Sequence, residues 1–248
     1  MPDSLEVSTL TRQVAAALPV APVTLTLGGE ATGLVIVDEV NGFATVGSGS
    51  LAPPKENPQV SAMVAETVRL ARGFSGQGWP ILAFLDTHIP GKPEPPYPPH
   101  CEAGTGEEDL VPELQWLGDD PHATLVRKDC INGFVGAIRP DGSNAVVDWV
   151  NAHRLQRLVV VGICTDICVM DFVLTLLSAR NHDLMPSLKD ISVHAAACAT
   201  YDLPREAVEH LGLPETACHP QDLTHHLGLY FMASRGAEIA DKVVLPTS

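Results

Sequence analysis

Strand-length apolar runs alternate with helix-spaced apolar positions along most of the chain. The strand-length runs lie at 33–40, 80–85, 123–128, 157–163 and 190–196. Helical spacing is found at 58–74, 107–117, 144–152, 165–180, 204–211 and 221–235. Strands that alternate with helices are typical of an α/β protein, in which helices cover both faces of a mainly parallel sheet. We therefore predict that architecture, with residues 1–248 as a single domain.

Polar residues and prolines mark the ends of several of these elements. Ser143 or Asn144 is expected to cap the helix that runs through Ala152, and Thr165 or Asp166 the helix that runs through Arg180. The segment 89–106 contains too many prolines for a helix or a central strand, and we interpret it as a long ordered loop or lid. Residues 1–30 form an N-terminal extension with a helix around 5–18.

Composition excludes some classes of function and favours one compartment. The net charge of -15 argues against nucleic-acid binding, because an acidic surface repels a phosphate backbone. The sequence has no apolar run approaching the roughly 18 residues of a membrane span, and its first 20 residues lack the order of a signal peptide. Its six cysteines fit neither a zinc pair nor a disulfide scaffold. We therefore expect a cytoplasmic protein, which leaves access to the nucleus open.

Three chemically reactive side chains lie at the ends of separate predicted strands. Asp38 and Lys128 end two strands, and Cys168 follows a third at the first turn of a helix. Because the carboxyl ends of parallel strands line one crevice, we expect these groups to meet. A thiol beside a carboxylate and an ammonium is a nucleophile with its proton-transfer partner in place. The helix N-terminus is expected to lower the thiol pKa. Cys164 is the rival thiol, of which we expect only the backbone N–H to be used.

A second set of residues has the character of metal ligands. Asp86 and His88 are alternate residues at a strand end and so share one side of the chain, and His100 follows on the proline-rich loop. Two imidazoles and a carboxylate suit zinc, iron or manganese and leave coordination positions open. Glu94 is a candidate extra ligand, although surface charge is an alternative role for it. The remaining histidines are interpreted as solvated or core residues: His122, His153, His182, His194, His210, His219, His225 and His226.

With these residues placed, the sequence resembles the isochorismatase-like cysteine hydrolases, and among them the plant-type nicotinamidases. The resemblance covers roughly 33–205. It is carried by IVDEVNGF (36–43), FLDTHIPG (84–91), PPHCEAGTGE (98–107), VRKDCINGF (126–134) and VVVGICTDICV (159–169). The family implies a three-layer αβα fold of the isochorismatase-like, Rossmann-like type.

The resemblance also implies a set of roles for the residues already named. It implies a catalytic triad of Asp38, Lys128 and Cys168, and a divalent metal, for which we expect zinc, at Asp86, His88 and His100. It implies a cis peptide at Ile163–Cys164 and an oxyanion hole formed by the N–H groups of Cys164 and Cys168. Three aromatic residues match substrate-stacking positions, Phe134 more loosely than the others, and packing is an alternative role for each: Phe43, Tyr97 and Phe134.

The activity so implied is hydrolysis of nicotinamide to nicotinate and ammonia through a cysteine thioester, in NAD salvage. We expect a homo-oligomer whose partner is this small-molecule substrate. One alternative is a metal-free amidohydrolase of the same superfamily that acts on a ureido or carbamoyl substrate. Another is a non-catalytic binding protein that retains the fold. Isochorismatase activity itself is disfavoured by Cys168, since that branch does not use this thiol.

Overall fold

All paired strands of the central sheet are parallel. A computed structural model of the protein describes residues 2–92 and 94–246, and for residues 2–7 the backbone alone. In that part of the chain, seven strands form one sheet in the order β1-β7-β6-β5-β2-β3-β4. Their bounds are β1 Val23–Thr26, β2 Thr32–Val37, β3 Ile81–Asp86, β4 Ala123–Lys128, β5 Arg157–Ile163, β6 Asp190–Ala199 and β7 Glu238–Val244.

Helices cover the sheet on both faces, which confirms the predicted three-layer fold. The α-helices are α1 Pro2–Ala17, α2 Asn41–Ala44, α3 Pro58–Gly76, α4 Gly133–Gly136, α5 Ala145–Ala152, α6 Cys168–Asn181, α7 Arg205–His210 and α8 Gln221–Ala233. Alternate residues of β2 enter opposite cores. Val35 and Val37 pack with side chains from α5, α6 and α8, whereas Leu34 and Ile36 pack with side chains from α3. Short 3₁₀ helices occupy Pro112–Asp119 and Glu215–Ala217.

The strand order brings four carboxyl ends together. β2 lies between β5 and β3, and β4 follows β3 at the edge of the sheet. Val37, the last residue of β2, is in register with Phe84 and Gly162, while Asp86 is in register with Lys128. The residues that follow these strands must therefore share one end of the sheet.

Both termini add strands that the apolar pattern does not predict. The N-terminal extension supplies β1, and this strand pairs with β7 from the other end of the chain. β1 has four residues, of which Leu25 alone is buried, and β7 is interrupted by the exposed pair Asp241 and Lys242. Short or half-polar strands carry too few apolar positions to stand out in the sequence.

Two local predictions are wrong for identifiable reasons. Residues 107–111 are not helical, because Glu108 folds back to accept hydrogen bonds from Gly104 N and Gly106 N, at 2.6 and 2.8 Å. The helix there starts only at Pro112 and is of the 3₁₀ type. Neither Thr165 nor Asp166 caps α6; Ile167 precedes it without a side-chain cap. By contrast, Asn144 caps α5 by accepting from Val146 N and Val147 N, as predicted.

No helix among the described residues is both long and apolar enough to cross a membrane.

Candidate active site

The carboxyl end of the sheet gathers the predicted triad around one buried ammonium. Asp38 follows β2, Lys128 ends β4, and Cys168 is the first residue of α6. Lys128 Nζ lies 2.8 Å from Asp38 Oδ2 and 2.7 Å from Asp86 Oδ1. It also donates to the Cys130 carbonyl at 2.9 Å. The side chains of Lys128 and Asp38 are completely buried, so this ion pair is shielded from water.

Burial decides the proton affinities in this cluster. Desolvation raises the pKa of Asp38 to about 6, although the neighbouring Lys128 ammonium opposes the rise. Burial also opposes the charge of Lys128, but Asp38, Cys168 and Asp86 hold its pKa well above the ordinary value. Asp38 can therefore take or give a proton near neutral pH, whereas Lys128 stays an ammonium.

The pKa of the Cys168 thiol differs from the expectation. Burial raises its pKa well above the ordinary value, and the Lys128 ammonium only partly offsets this rise. The expectation that the helix N-terminus leaves a low-pKa thiol is therefore wrong, because desolvation outweighs it. A thiol whose pKa is raised becomes a nucleophile only when a base removes its proton. A hydrogen bond between the side chains of Asp38 and Cys168 partly lowers the pKa of Asp38.

The turn before Cys168 presents backbone N–H groups beside the thiol. The Ile163–Cys164 peptide bond is cis, at the position that the resemblance implies. Gly162 has φ +126°, and a Cβ atom there would lie 2.1 Å from Val37 O, so only glycine lets β5 approach β2 this closely. Among the described residues, neither Cys164 N nor Cys168 N donates to a backbone carbonyl. Both N–H groups are therefore suited to an oxyanion.

Asp86, His88 and His100 converge on a second point of the same crevice. One ligand atom of each lies within 4.8 Å of the others. The Nε2 atoms of His88 and His100 lie 2.9 and 3.3 Å from Asp86 Oδ2. His100 Nδ1 lies 2.8 Å from the Pro98 carbonyl, which leaves Nε2 as the free lone pair when Nδ1 carries the proton. All three residues are buried. Buried imidazoles whose nitrogens face a carboxylate fit a divalent metal such as zinc.

The charges around Asp86 keep its carboxylate ionised. Burial alone would raise its pKa, but Lys128, His100 and His88 hold the pKa well below the usual range. Asp86 therefore touches both halves of the crevice, because one oxygen faces the Lys128 ammonium and the other faces the histidines. Glu94 is more distant. Its Oε2 lies 3.6 and 3.7 Å from the two histidine Nε2 atoms, and its Oε1 accepts from Ile131 N at 3.0 Å.

The three predicted aromatic residues are placed differently. The rings of Phe43 and Tyr97 lie 5.6 and 6.1 Å from the His100 ring, so both flank the metal-ligand set. Burial raises the pKa of Tyr97 to about 12, so its hydroxyl keeps its proton. Phe134 packs against the hydrophobic cluster that contains Cys168. The structure thus brings two aromatic rings beside the histidines and a third beside the buried core.

Sequence reasoning missed a polar cluster behind the turn. His219 Nε2 lies 2.8 Å from Asp166 Oδ2, and Thr200 donates to Asp166 Oδ1 at 2.7 Å. His225 Nδ1 lies 2.8 Å from the Thr165 hydroxyl. His219 is separated from Asp166 by 53 positions, so no local spacing reveals the pair. Both histidines were expected to be solvated or core residues without such partners.

Comparison with known proteins settles the family. The model of the isochorismatase domain matches residues 32–212. The chain belongs to the isochorismatase family. This isochorismatase-family protein is 54% identical over 215 residues to nicotinamidase 1 of Arabidopsis thaliana, with 87% of each chain covered. The predicted resemblance to the plant-type nicotinamidases is thereby confirmed.

Solved structures agree with the fold of this isochorismatase-family protein. A nicotinamidase from Bacillus subtilis superimposes with a TM-score of 0.62 at 21% identity, covering 85% of this chain and 99% of that one. A pyrazinamidase of Pyrococcus horikoshii, solved in complex with zinc, gives a TM-score of 0.58 at 19% identity, covering 84% and 98%. At these identities the likeness concerns the fold alone.

Proposed function

We propose that this protein is a nicotinamidase that hydrolyses nicotinamide to nicotinate and ammonia. One observation carries the proposal: Lys128 bridges Asp38 and Asp86 at 2.8 and 2.7 Å. This bridge supports a site in which a thiol and its base act directly beside a set of metal ligands. A small molecule with an amide at one end and a ring nitrogen at the other would engage both. The 54% identity to a plant nicotinamidase supports the same substrate.

In the first half of the reaction, Cys168 acts as the nucleophile. Asp38 takes the thiol proton as sulfur bonds to the carboxamide carbon, and the carbonyl electrons move to oxygen. The N–H groups of Cys164 and Cys168 stabilise that oxyanion. When the carbonyl re-forms, the C–N bond breaks, and Asp38 gives its proton to the departing nitrogen. The products of this half are ammonia and a thioester on Cys168.

In the second half, Asp38 acts on water. It takes a proton from water as the water oxygen bonds to the thioester carbon, and the C–S bond then breaks. The proton returns to the sulfur, so Asp38 and Cys168 regain their starting states. A pKa of about 6 suits Asp38 to both directions of transfer near neutral pH. The permanent charge of Lys128 stabilises the thiolate and the carboxylate in turn.

Asp86, His88 and His100 would hold a divalent metal, for which zinc is our first choice, with iron or manganese as alternatives. When bound, this metal supplies open coordination positions that a pyridine nitrogen can fill. Glu94 stays a candidate extra ligand, since its Oε2 lies 3.6 and 3.7 Å from the two histidine Nε2 atoms. Phe43 and Tyr97 flank His100 and are proposed to stack on the pyridine ring, with Phe134 as a more remote candidate.

The biological setting stays a proposal as well. Nicotinate is a precursor of NAD, so the expected role is NAD salvage. All six cysteines are free, which fits a reducing compartment such as the cytoplasm. We propose that the chain forms a single domain, because strands from its N-terminal and C-terminal parts pair in one sheet. A homo-oligomer and the lack of nucleic-acid partners stay predictions.

Ammonia release from a panel of amides, with and without a chelator, tests the proposed function. We expect rapid release from nicotinamide and pyrazinamide, and loss of activity after chelation that added zinc restores. Release from carbamoyl or ureido substrates that the chelator does not affect would favour the metal-free amidohydrolase instead. If no amide released ammonia, the result would favour a non-catalytic binding protein that retains the fold.

A further inference from the structure

The turn between β5 and α6 is held in place by groups from the C-terminal part of the chain. Its backbone forms one hydrogen bond to β6, from Thr165 N to Ala199 O at 2.9 Å. The Thr165 hydroxyl meets His225 Nδ1 on α8, and Asp166 meets Thr200 and His219. Because Cys164 and Cys168 flank these residues, whatever holds Thr165 and Asp166 also sets the place of the nucleophile.

Asp166 is the main attachment point of this turn. Both of its carboxylate oxygens are engaged, Oδ1 by the Thr200 hydroxyl at 2.7 Å and Oδ2 by His219 Nε2 at 2.8 Å. Burial alone would raise the pKa of Asp166, but His219 and Thr200 hold it below the ordinary value. The side chain does not cap α6, which begins without a side-chain cap. Asp166 thus anchors the turn to the segment behind it.

Hydrogen bonds and a stacked aromatic ring hold His219 in place. Its Nδ1 lies 2.9 Å from the Tyr201 carbonyl, and the Tyr201 ring stacks on the imidazole with centroids 3.9 Å apart at 14°. Its backbone exchanges two hydrogen bonds with Leu203, at 2.8 and 2.9 Å. Burial opposes a charge on His219, yet the bond to Asp166 raises its pKa above the ordinary value. Two acceptors, one at each ring nitrogen, favour a doubly protonated imidazolium.

We propose that His219 is a positioning residue of the active site, acting through Asp166 to fix the turn that carries Cys164 and Cys168. This inference rests on the proposed function and adds to it a residue outside 32–212, the part of the chain that the family model matches. Without the imidazolium, a largely buried carboxylate loses its charged partner and must seek water. The turn would shift, and even small displacements of a nucleophile cost much of the rate.

The chain offers a matched control in His194. This histidine also pairs a carboxylate and a backbone carbonyl, Glu66 Oε1 at 2.8 Å and Ala240 O at 3.1 Å. It lies within β6, and neither of its partners belongs to the turn or to the triad. A purely structural role for His219 would therefore make the variants His219→Gln and His194→Gln behave alike.

The test combines kinetics with thiol labelling of the full-length protein. We expect His219→Gln to lower kcat for nicotinamide on the order of tenfold or more, with little change in KM. Iodoacetamide labelling, located by mass spectrometry, should move from Cys168 towards Cys164 in this variant. His194→Gln should lose stability but keep the kcat and the labelling ratio of the unmodified protein. Equal behaviour of the two variants in kcat and labelling would overturn the proposal.

A double-variant cycle tests whether His219 acts through Asp166. Asp166→Asn keeps the shape of the side chain while removing its charge, and it serves as a second probe if His219→Gln does not fold. The combined variant should be scarcely worse than either single variant, because both remove one interaction. Losses in kcat that add fully would refute the pathway through Asp166. The labelling ratio needs no substrate, so it tests positioning even if nicotinamide is not hydrolysed.

Discussion

Two cations, each paired with two or more carboxylates, lie at opposite ends of the sheet. Lys128 is the last residue of β4 and faces Asp38 and Asp86. Arg157 is the first residue of β5 and contacts carboxylates at 2.5 to 3.0 Å: Glu30, Asp190 and Glu238. Because the strands are parallel, one cluster occupies the carboxyl edge and the other the amino edge.

The two clusters differ most in their access to water. The Lys128 side chain is 0% exposed and its partners are 0% and 3% exposed. The Arg157 side chain is 13% exposed, and its partners are between 31% and 47% exposed. Exposed carboxylates keep their hydration, so the Arg157 cluster links strands without reactive chemistry. In the Lys128 cluster, burial of Asp38 instead raises the pKa of this carboxyl to about 6, although the Lys128 ammonium opposes the rise.

The largest expected effect is at the thiol beside the buried cluster. Cys168→Ala should abolish nicotinamide turnover while leaving the fold intact, because the proposed reaction passes through a thioester on Cys168. Cys164→Ala should keep most of the activity, since only its backbone N–H is invoked. Ammonia release and acid-quench mass spectrometry of the thioester measure both. An active Cys168→Ala paired with an inactive Cys164→Ala would reverse the assignment of the nucleophile.

Asp38→Asn should lower kcat on the order of 10²-fold or more, because it removes the base. In the unmodified protein, kcat/KM should fall as the pH drops below about 6, since Asp38 must be ionised to accept the thiol proton. The measurement is a pH profile of ammonia release. A profile that stays flat from pH 5 to 8 would count against Asp38 as that base.

Exchanging each cation for methionine compares the two clusters directly. Lys128→Met leaves the buried Asp38 carboxylate without a cation and removes the ammonium from Asp86, and it should cost roughly 3–5 kcal/mol of unfolding free energy, together with the activity. Arg157→Met should cost only about 1–2 kcal/mol, because its carboxylates reach water, and activity should persist. Urea unfolding and ammonia release provide the readouts. Equal losses of stability would mean that burial does not separate the clusters.

The last prediction concerns stability at Glu39, a fully buried carboxyl that follows Asp38 in the chain. Its Oε1 accepts from Thr67 at 2.6 Å, and burial raises its pKa from 4.5 to about 8. The folded protein therefore holds a proton that the unfolded chain releases above about pH 4.5. This contribution to stability is complete at lower pH and is lost as the pH rises through 8.

Glu39→Gln removes this titration. Relative to the unmodified protein, the variant should gain stability between pH 5 and 8, by on the order of 1 kcal/mol per pH unit. Urea unfolding at several pH values checks the trend. A constant difference between the two proteins over that range would show that Glu39 is already ionised when folded.

The sequence predicts which residues meet at the ends of parallel strands. It does not predict side-chain pairs between segments that are far apart in the chain. Asp38, Lys128, Asp86 and Cys168 could be placed together because apolar runs mark the strands and parallel strands share an edge. Neither the pairing of His219 with Asp166 nor the role of Asp166 as an anchor could be predicted, because the partners are 53 residues apart. The raised pKa of Cys168 was missed for a related reason: burial depends on the packing of the whole fold.

If the thiol and the metal-ligand set act on one molecule, kcat/KM for nicotinamide must greatly exceed kcat/KM for benzamide. Benzamide has the same shape without the ring nitrogen. We expect it to be poorer by roughly 10²-fold or more, since each ~1.4 kcal/mol of lost binding is tenfold in rate. His88→Ala should lower both the metal content and the ratio of these two kcat/KM values. Equal values for the two amides in the unmodified protein would mean that the ring nitrogen does not bind at the metal-ligand set, and would favour a metal-free amidohydrolase.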